Sequence, residues 1–215
     1  MSFIRLVFLL LFAIPVARIF TGADVVDRQR LPRKGPAIIA ANHNSHVDTL
    51  LLLTVFPLMA MGRLRPVAAA DYFLRGPMIS WFSRRVIGIV PITRQGGGEQ
   101  DVLAPAREAL GRGDIILIFP EGTRGDSSDA MGRLRAGVAR LAEAFPEAPV
   151  IPIWLEGAGR VLPKGTLVPV PMNCTVLVGE PLLWCGQRTA FTDRLRAALL
   201  DLKAKAPPQH WIPGA

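Results

Sequence analysis

A chain of 215 residues and 23.3 kDa has room for one domain, or for one domain with a short appendage. Half of it is hydrophobic, 20% is charged and mean hydropathy is +0.33, the opposite of a disordered or acidic solvating segment. The 25 Lys and Arg against 17 Asp and Glu leave a net charge of +8, which favours anionic partners, and the apolar surplus turns that preference towards lipid rather than nucleic acid.

The first element is apolar. Leu6 to Ala17 carries no charge and is flanked by Arg5 and Arg18. With Phe3, Ile4, Ile19 and Phe20 added, and both arginines snorkelling, it approaches the length of a membrane-crossing helix. The alternatives are a cleaved signal peptide and an ordinary core helix, but no Ala-x-Ala cleavage site follows, so residues 1–20 are expected to form an uncleaved membrane anchor and 21–215 the working domain. The basic cluster Arg28, Arg30, Arg33 and Lys34 suits an anionic cytoplasmic leaflet, at about 1 kcal/mol per charge.

From Gly35 onward, strand-length apolar runs alternate with helical spacing. Ala37–Ala41 reads as a buried strand and Asp48–Val55 as a helix, with further short apolar runs at Val67–Ala70 and Gly88–Ile92. A helix is expected over Gln100–Arg112, a strand over Ile115–Phe119 and a helix over Leu134–Phe145. Strands follow at Val150–Leu155 and Thr175–Val178. An amphipathic helix over Phe191–Lys205 closes the series before Pro207-Pro208. Continuous apolar strands alternating with helices predict a single α/β domain with a mainly parallel central sheet flanked by helices.

In such folds the chemistry gathers where strands end. Asn42-His43-Asn44-Ser45-His46-Val47-Asp48 follows the first strand. A histidine suits base work near neutrality, and a carboxylate on its second nitrogen would fix its tautomer. Asp48 stands at the right distance to fold back on His43; the alternative is an Asp48 that only caps a helix beside a surface histidine. His43, His46 and Asp48 also form a possible metal triplet for hydrolysis. The only other histidine, His210, sits too near the chain end to complete a ligand set readily.

A second loop, Phe119-Pro120-Glu121-Gly122-Thr123-Arg124-Gly125, also leaves a strand. Its glycines permit close backbone approach, Thr123 brings a hydroxyl and Arg124 a fork suited to phosphate oxygens, though a plain turn with a solvated arginine has the same letters. Gly88 to Arg94 sets another arginine after a strand, and the Gly96-Gly97-Gly98 behind it lacks the Lys-Ser/Thr of a phosphate-binding P-loop. A His–Asp pair with two strand-end arginines points to a hydroxyl nucleophile on a phosphorylated acceptor. Cys174 and Cys185 lie in no motif and read as small buried hydrophobes.

Taken in order, these blocks resemble the glycerolipid acyltransferase family typified by 1-acyl-sn-glycerol-3-phosphate acyltransferase. Asn42-His43 through Asp48 corresponds to its His-x4-Asp block and Gly88 to Arg94 to its Gly-x-x-Phe-Ile-x-Arg block. Phe119 to Arg124 corresponds to its third block, and Val150-Ile151-Pro152-Ile153 to its fourth. Leu134-Arg135-Ala136-Gly137 stands where Phe-Lys-x-Gly is usual. Pro91 replaces the usual Phe, and Thr93 a frequent Asp. The resemblance implies the glycerol-3-phosphate acyltransferase fold and an enzyme that needs no cofactor and no metal. It implies His43 as general base and Asp48 as its orienting carboxylate. Arg94, Gly122, Thr123, Arg124 and Arg135 would hold an acceptor phosphate, and Glu121 would orient an arginine or bond a glycerol hydroxyl. The implied acyl donor is acyl-CoA or acyl carrier protein. The implied acceptor is a lysophospholipid, foremost 1-acyl-sn-glycerol-3-phosphate to give phosphatidic acid, with another lyso-lipid or a lyso-aminolipid as alternatives. The implied setting is the cytoplasmic face of the inner membrane, with no nucleic-acid partner. A metal-dependent hydrolase and a basic non-catalytic lipid binder remain as readings from other classes.

Overall fold

Strand β2, Ala37–Ala41, is buried at every position, and its side chains alternate between two cores. Ala37, Ile39 and Ala41 enter one, Ile38 and Ala40 the other. The computed structural model describes residues 3–45, 47–70, 76–93, 101–122, 131–161 and 170–207. In these the strands form one 7-stranded sheet in the order β1-β7-β6-β2-β5-β3-β4. The others are β1 Asp24–Val26, β3 Leu64–Ala69, β4 Val90–Ile92, β5 Ile115–Ile118, β6 Val150–Glu156 and β7 Thr175–Val178. Every pairing is parallel except β6 with β7. The expected α/β architecture with a mainly parallel sheet is therefore present.

One face of the sheet is covered by the N-terminal helix and the helix Val47–Val55, whose Leu51, Leu52 and Leu53 are buried there. The other is covered by the helices Ala104–Gly111, Gly137–Ala144 and Arg188–Lys205. Phe191, Leu195, Leu199 and Leu202 form the buried stripe of the last. Several boundaries differ from expectation. The helix expected from Leu134 starts at Gly137, because the Arg135 N–H donates to the Pro120 carbonyl at 2.8 Å rather than within a helix. The run from Gly88 becomes strand only at Val90, since Gly88 adopts a left-handed φ of 80° that ends the preceding helical segment. The run at Val67 is the end of a strand that begins at Leu64. The short strand β1 and the helical segments Leu58–Met61, Pro77–Phe82 and Ala158–Val161 carry too few residues to show a period in sequence.

The apolar N-terminal segment is helical over Phe3–Thr21, with a π-helical stretch at Leu9–Ala13. Leu9, Ala13 and Ala17 lie on one stripe, buried against the domain. Arg5 does not snorkel. It is 2% exposed and donates from Nη2 to the Leu64 carbonyl at 2.7 Å, because the start of β3 offers a backbone acceptor under the helix. Two members of the basic cluster are also engaged within the protein. Arg28 donates to the Val55 carbonyl at 3.1 Å, and Arg30 pairs with Asp27 and Glu180 and donates to the Val178 carbonyl. The opposite face of the helix, with Phe3, Leu11, Phe12 and Ile19, is exposed.

The buried stripe is built of small residues where the helix approaches the domain. Ala13→Leu is expected to overpack that contact and lower stability by about 1–3 kcal/mol, seen as a reduced thermal midpoint in detergent.

Candidate active site

Where β2 leaves the sheet, Asn42 takes over the role of a strand neighbour. Its Nδ2 donates to the Leu155 carbonyl at 3.0 Å, and the Leu155 N–H donates to its Oδ1 at 2.6 Å. The side chain is buried, and both ends of its amide are satisfied by one residue of β6. The pairing extends the β2–β6 contact beyond Ala41 and sets the direction in which the chain departs.

His43 comes next. Its Nδ1 lies 2.9 Å from Oδ2 of Asp48, in the first turn of the helix Val47–Val55. The same oxygen accepts the backbone N–H of Asn44 at 2.6 Å and of Ser45 at 2.8 Å. Asp48 is fully buried while the His43 side chain is 19% exposed. An ionised carboxylate only accepts, so Nδ1 carries the proton in this contact, and in the neutral imidazole Nε2 is the nitrogen with the free lone pair. Asp48 thus both closes the loop and orients the imidazole.

Against the His43 ring lies Phe119, stacked with centroids 4.1 Å apart and an interplanar angle of 16°. Phe119 follows β5, the parallel neighbour of β2, with Ala40 opposite Ile118. Beyond it the chain turns at Gly122, whose φ is 72°. The Arg135 side chain lies across this glycine, in the space where a Cβ would sit. Glu121 accepts the Gly132 N–H at 3.1 Å. From the last helix, Arg196 donates to the carbonyls of Gly132 at 2.9 Å and Met131 at 3.3 Å. The segment carrying Arg135 is thereby tied to Pro120-Glu121-Gly122 on one side and to the last helix on the other.

The structure brings His43, Asp48, Glu121, Gly122 and Arg135 to the carboxyl ends of the adjacent strands β2 and β5. Arg94, Thr123, Arg124 and His46 lie outside the described residues, as does His210. Among the described residues no group of three or more His, Cys, Asp or Glu is placed to hold a metal ion. Cys174 is buried, and its thiol is pushed up to about 12 by burial, Asp48 and Glu156, so at neutral pH it is no nucleophile. Cys185, expected to be buried, is exposed, because it lies in the open segment between β7 and the last helix rather than under a core element. Motif reading assigned no part to Asn42, Phe119 or Arg196. The first two stood inside the matched blocks, whereas nothing in the sequence marks Arg196.

The chain matches the Acyltransferase family over residues 22–156, more than half its length. It is 28% identical over 149 residues to the chloroplastic 1-acyl-sn-glycerol-3-phosphate acyltransferase BAT2 of Brassica napus, covering 68% of this chain and 41% of that protein. It is 32% identical over 195 residues to the N-acylphosphatidylethanolamine synthase of Arabidopsis thaliana, covering 84% and 66%. The solved structure of the 1-acyl-sn-glycerophosphate acyltransferase PlsC from Thermotoga maritima shares the fold. The TM-score is 0.75 at 20% identity, with 95% of this chain and 81% of that one covered. A His-x4-Asp pair on the end of a parallel strand and a family match across the sheet agree: this chain belongs to the Acyltransferase family. The alignments span from about two fifths to about two thirds of the two curated relatives' lengths.

Asn42→Ala leaves the Leu155 N–H and carbonyl without the partner that satisfies both. A loss of about 1–3 kcal/mol is expected in chemical denaturation.

Proposed function

We propose that this protein transfers a fatty acyl chain from an acyl thioester, acyl-CoA or acyl carrier protein, to the free hydroxyl of a lysophospholipid. The acceptor we favour is 1-acyl-sn-glycerol-3-phosphate, which gives phosphatidic acid. The observation that carries this reading is the His43–Asp48 pair, with one imidazole nitrogen left to take a proton and Arg135 held on the neighbouring strand end.

In the reaction, His43 Nε2 takes the proton of the acceptor hydroxyl as that oxygen attacks the thioester carbonyl. Asp48 bears on the imidazolium that forms. Collapse of the tetrahedral intermediate breaks the C–S bond, and the departing thiolate recovers the proton from His43. No covalent enzyme intermediate is needed, in keeping with the high pKa of the buried Cys174. General base catalysis of this kind supplies typically about 10²–10⁴-fold. Arg94, Arg124 and Arg135 hold the acceptor phosphate with Gly122 and Thr123, and Glu121 keeps the segment bearing Arg135 in place. One relative's name specifies acyl transfer with 1-acyl-sn-glycerol-3-phosphate, and the other's an N-acylated phosphatidylethanolamine as product. That supports a shared proton-transfer pair with the acceptor chosen elsewhere in the site.

Residues 1–20 serve as the membrane-holding element of a catalytic domain over 21–215. The exposed apolar side of the N-terminal helix supports this, as does the neighbouring segment Pro77–Phe82, where Met78, Ile79 and Trp81 are exposed and Phe82 packs edge-on against Phe8. The enzyme sits on the cytoplasmic face of the inner membrane, where thioester donors are made.

His43→Ala is expected to cost about 10²–10⁴-fold in turnover, with circular dichroism unchanged. Asp48→Asn should also lose most activity. A folded, active His43→Ala protein overturns the mechanism. Arg135→Ala should raise the acceptor KM by roughly tenfold with the donor KM unchanged, as expected for one charge-assisted contact. Steady-state kinetics with both substrates varied is the measurement. Replacing Leu11 and Phe12 by serine should reduce flotation with phospholipid vesicles while leaving the fold intact, since both side chains are exposed.

A further inference from the structure

The Nδ1 contact to Asp48 holds the His43 imidazole at one atom. A single hydrogen bond of this kind leaves the ring able to tilt about the line joining the two atoms. The face of Phe119 removes that freedom: at 4.1 Å and 16° the rings are in stacking contact. Phe119 is itself held. It is partly buried against the core that contains Leu51, Leu52 and Ile153, and it follows a β5 residue fixed in register to Ala40 of β2. Pro120, immediately after it, is buried, and its carbonyl is engaged by the Arg135 N–H. The stack is therefore built by two neighbouring strands, one delivering the histidine and the other the ring against it.

We propose that Phe119 is a positioning residue for proton transfer. By stacking on His43 it fixes the plane of the imidazole, and hence the direction in which Nε2 meets the acceptor hydroxyl. This rests on the reading of His43 as general base. The proton still passes from the acceptor oxygen to Nε2, and Phe119 touches neither substrate. An aromatic face also favours the imidazolium that forms, through its quadrupole. A ring is required at this position, then, and apolar bulk alone does not suffice.

Two variants of the full chain separate ring from bulk. Phe119→Leu keeps an apolar side chain without a π face, and Phe119→Tyr keeps the ring. In Phe119→Leu, kcat is expected to fall by about tenfold or more with both KM values nearly unchanged, the result of a misdirected base rather than a lost binding contact. Phe119→Tyr should stay close to wild type. The stack has its own signature in nuclear magnetic resonance. With three histidines in the chain, the His43 ring protons are assignable by comparison with His43→Ala, and ring current should hold them upfield in wild type and Phe119→Tyr but not in Phe119→Leu.

Wild-type kcat in Phe119→Leu overturns the proposal. So does a raised KM with unchanged kcat, which would put Phe119 on a substrate. An equal loss of kcat in both variants does the same. Should Phe119→Leu fail to fold, unshifted His43 protons in the wild type, or a large kcat loss in a folded Phe119→Tyr protein, still overturn it. Activity in His43→Ala would instead remove the general-base reading while leaving the upfield shift, so the two failures are distinguishable.

Discussion

Strand β2 is bonded on both edges, to β5 and to β6, and buried on both faces. A strand so enclosed cannot slip by one residue without turning its core side chains to the wrong face. Its carboxyl end is therefore a fixed point, and the site is assembled from what lies at that end. β2 delivers Asn42 and His43, β5 delivers Phe119 and the turn at Gly122, and β6 provides the Leu155 backbone that clamps Asn42. Three strands far apart in sequence meet within one short stretch of the sheet.

Asp48 shows how local and long-range constraints converge. Its Oδ2 accepts three N–H groups, two from the backbone of the intervening loop and one from the His43 ring. A buried carboxylate demands such partners, since desolvation without them is costly. The same need that folds the loop therefore orients the His43 imidazole. On the other strand end, Arg135 crosses Gly122 and Glu121 holds the Gly132 N–H, so the positive charge near the site is placed by a backbone that doubles back on itself.

The two faces of the sheet are not alike. One carries the N-terminal helix, with its small residues inward and Phe3, Leu11, Phe12 and Ile19 outward. The outer side of the last helix, on the other face, carries the ion pair Arg188–Glu143 at its start and Lys205–Asp201 near its end. The exposed apolar side of the N-terminal helix is the surface that supports the proposed contact with lipid. The buried Arg5 adds that the N-terminal helix is fastened to the domain.

Much of this was legible in the chain. Apolar runs such as Ala37–Ala41 and Ile115–Ile118 announce buried strands because a doubly covered sheet needs no polar alternation. The His43-to-Asp48 spacing and the Phe119-to-Arg124 letters point to the candidate site because they are short-range features. Tertiary structure alone decided the rest. β7 runs antiparallel beside β6, and β1 finds its place at the sheet edge, because pairing partners are chosen by packing rather than by local sequence. Arg5 is buried because β3 presents a carbonyl beneath it, and Cys185 is exposed because no element covers it. The stacking of Phe119 on His43 joins residues 76 positions apart, and the reach of Arg196 to Gly132 spans 64. Local propensity has no term for such distances; they are set when the sheet closes and two strand ends become neighbours.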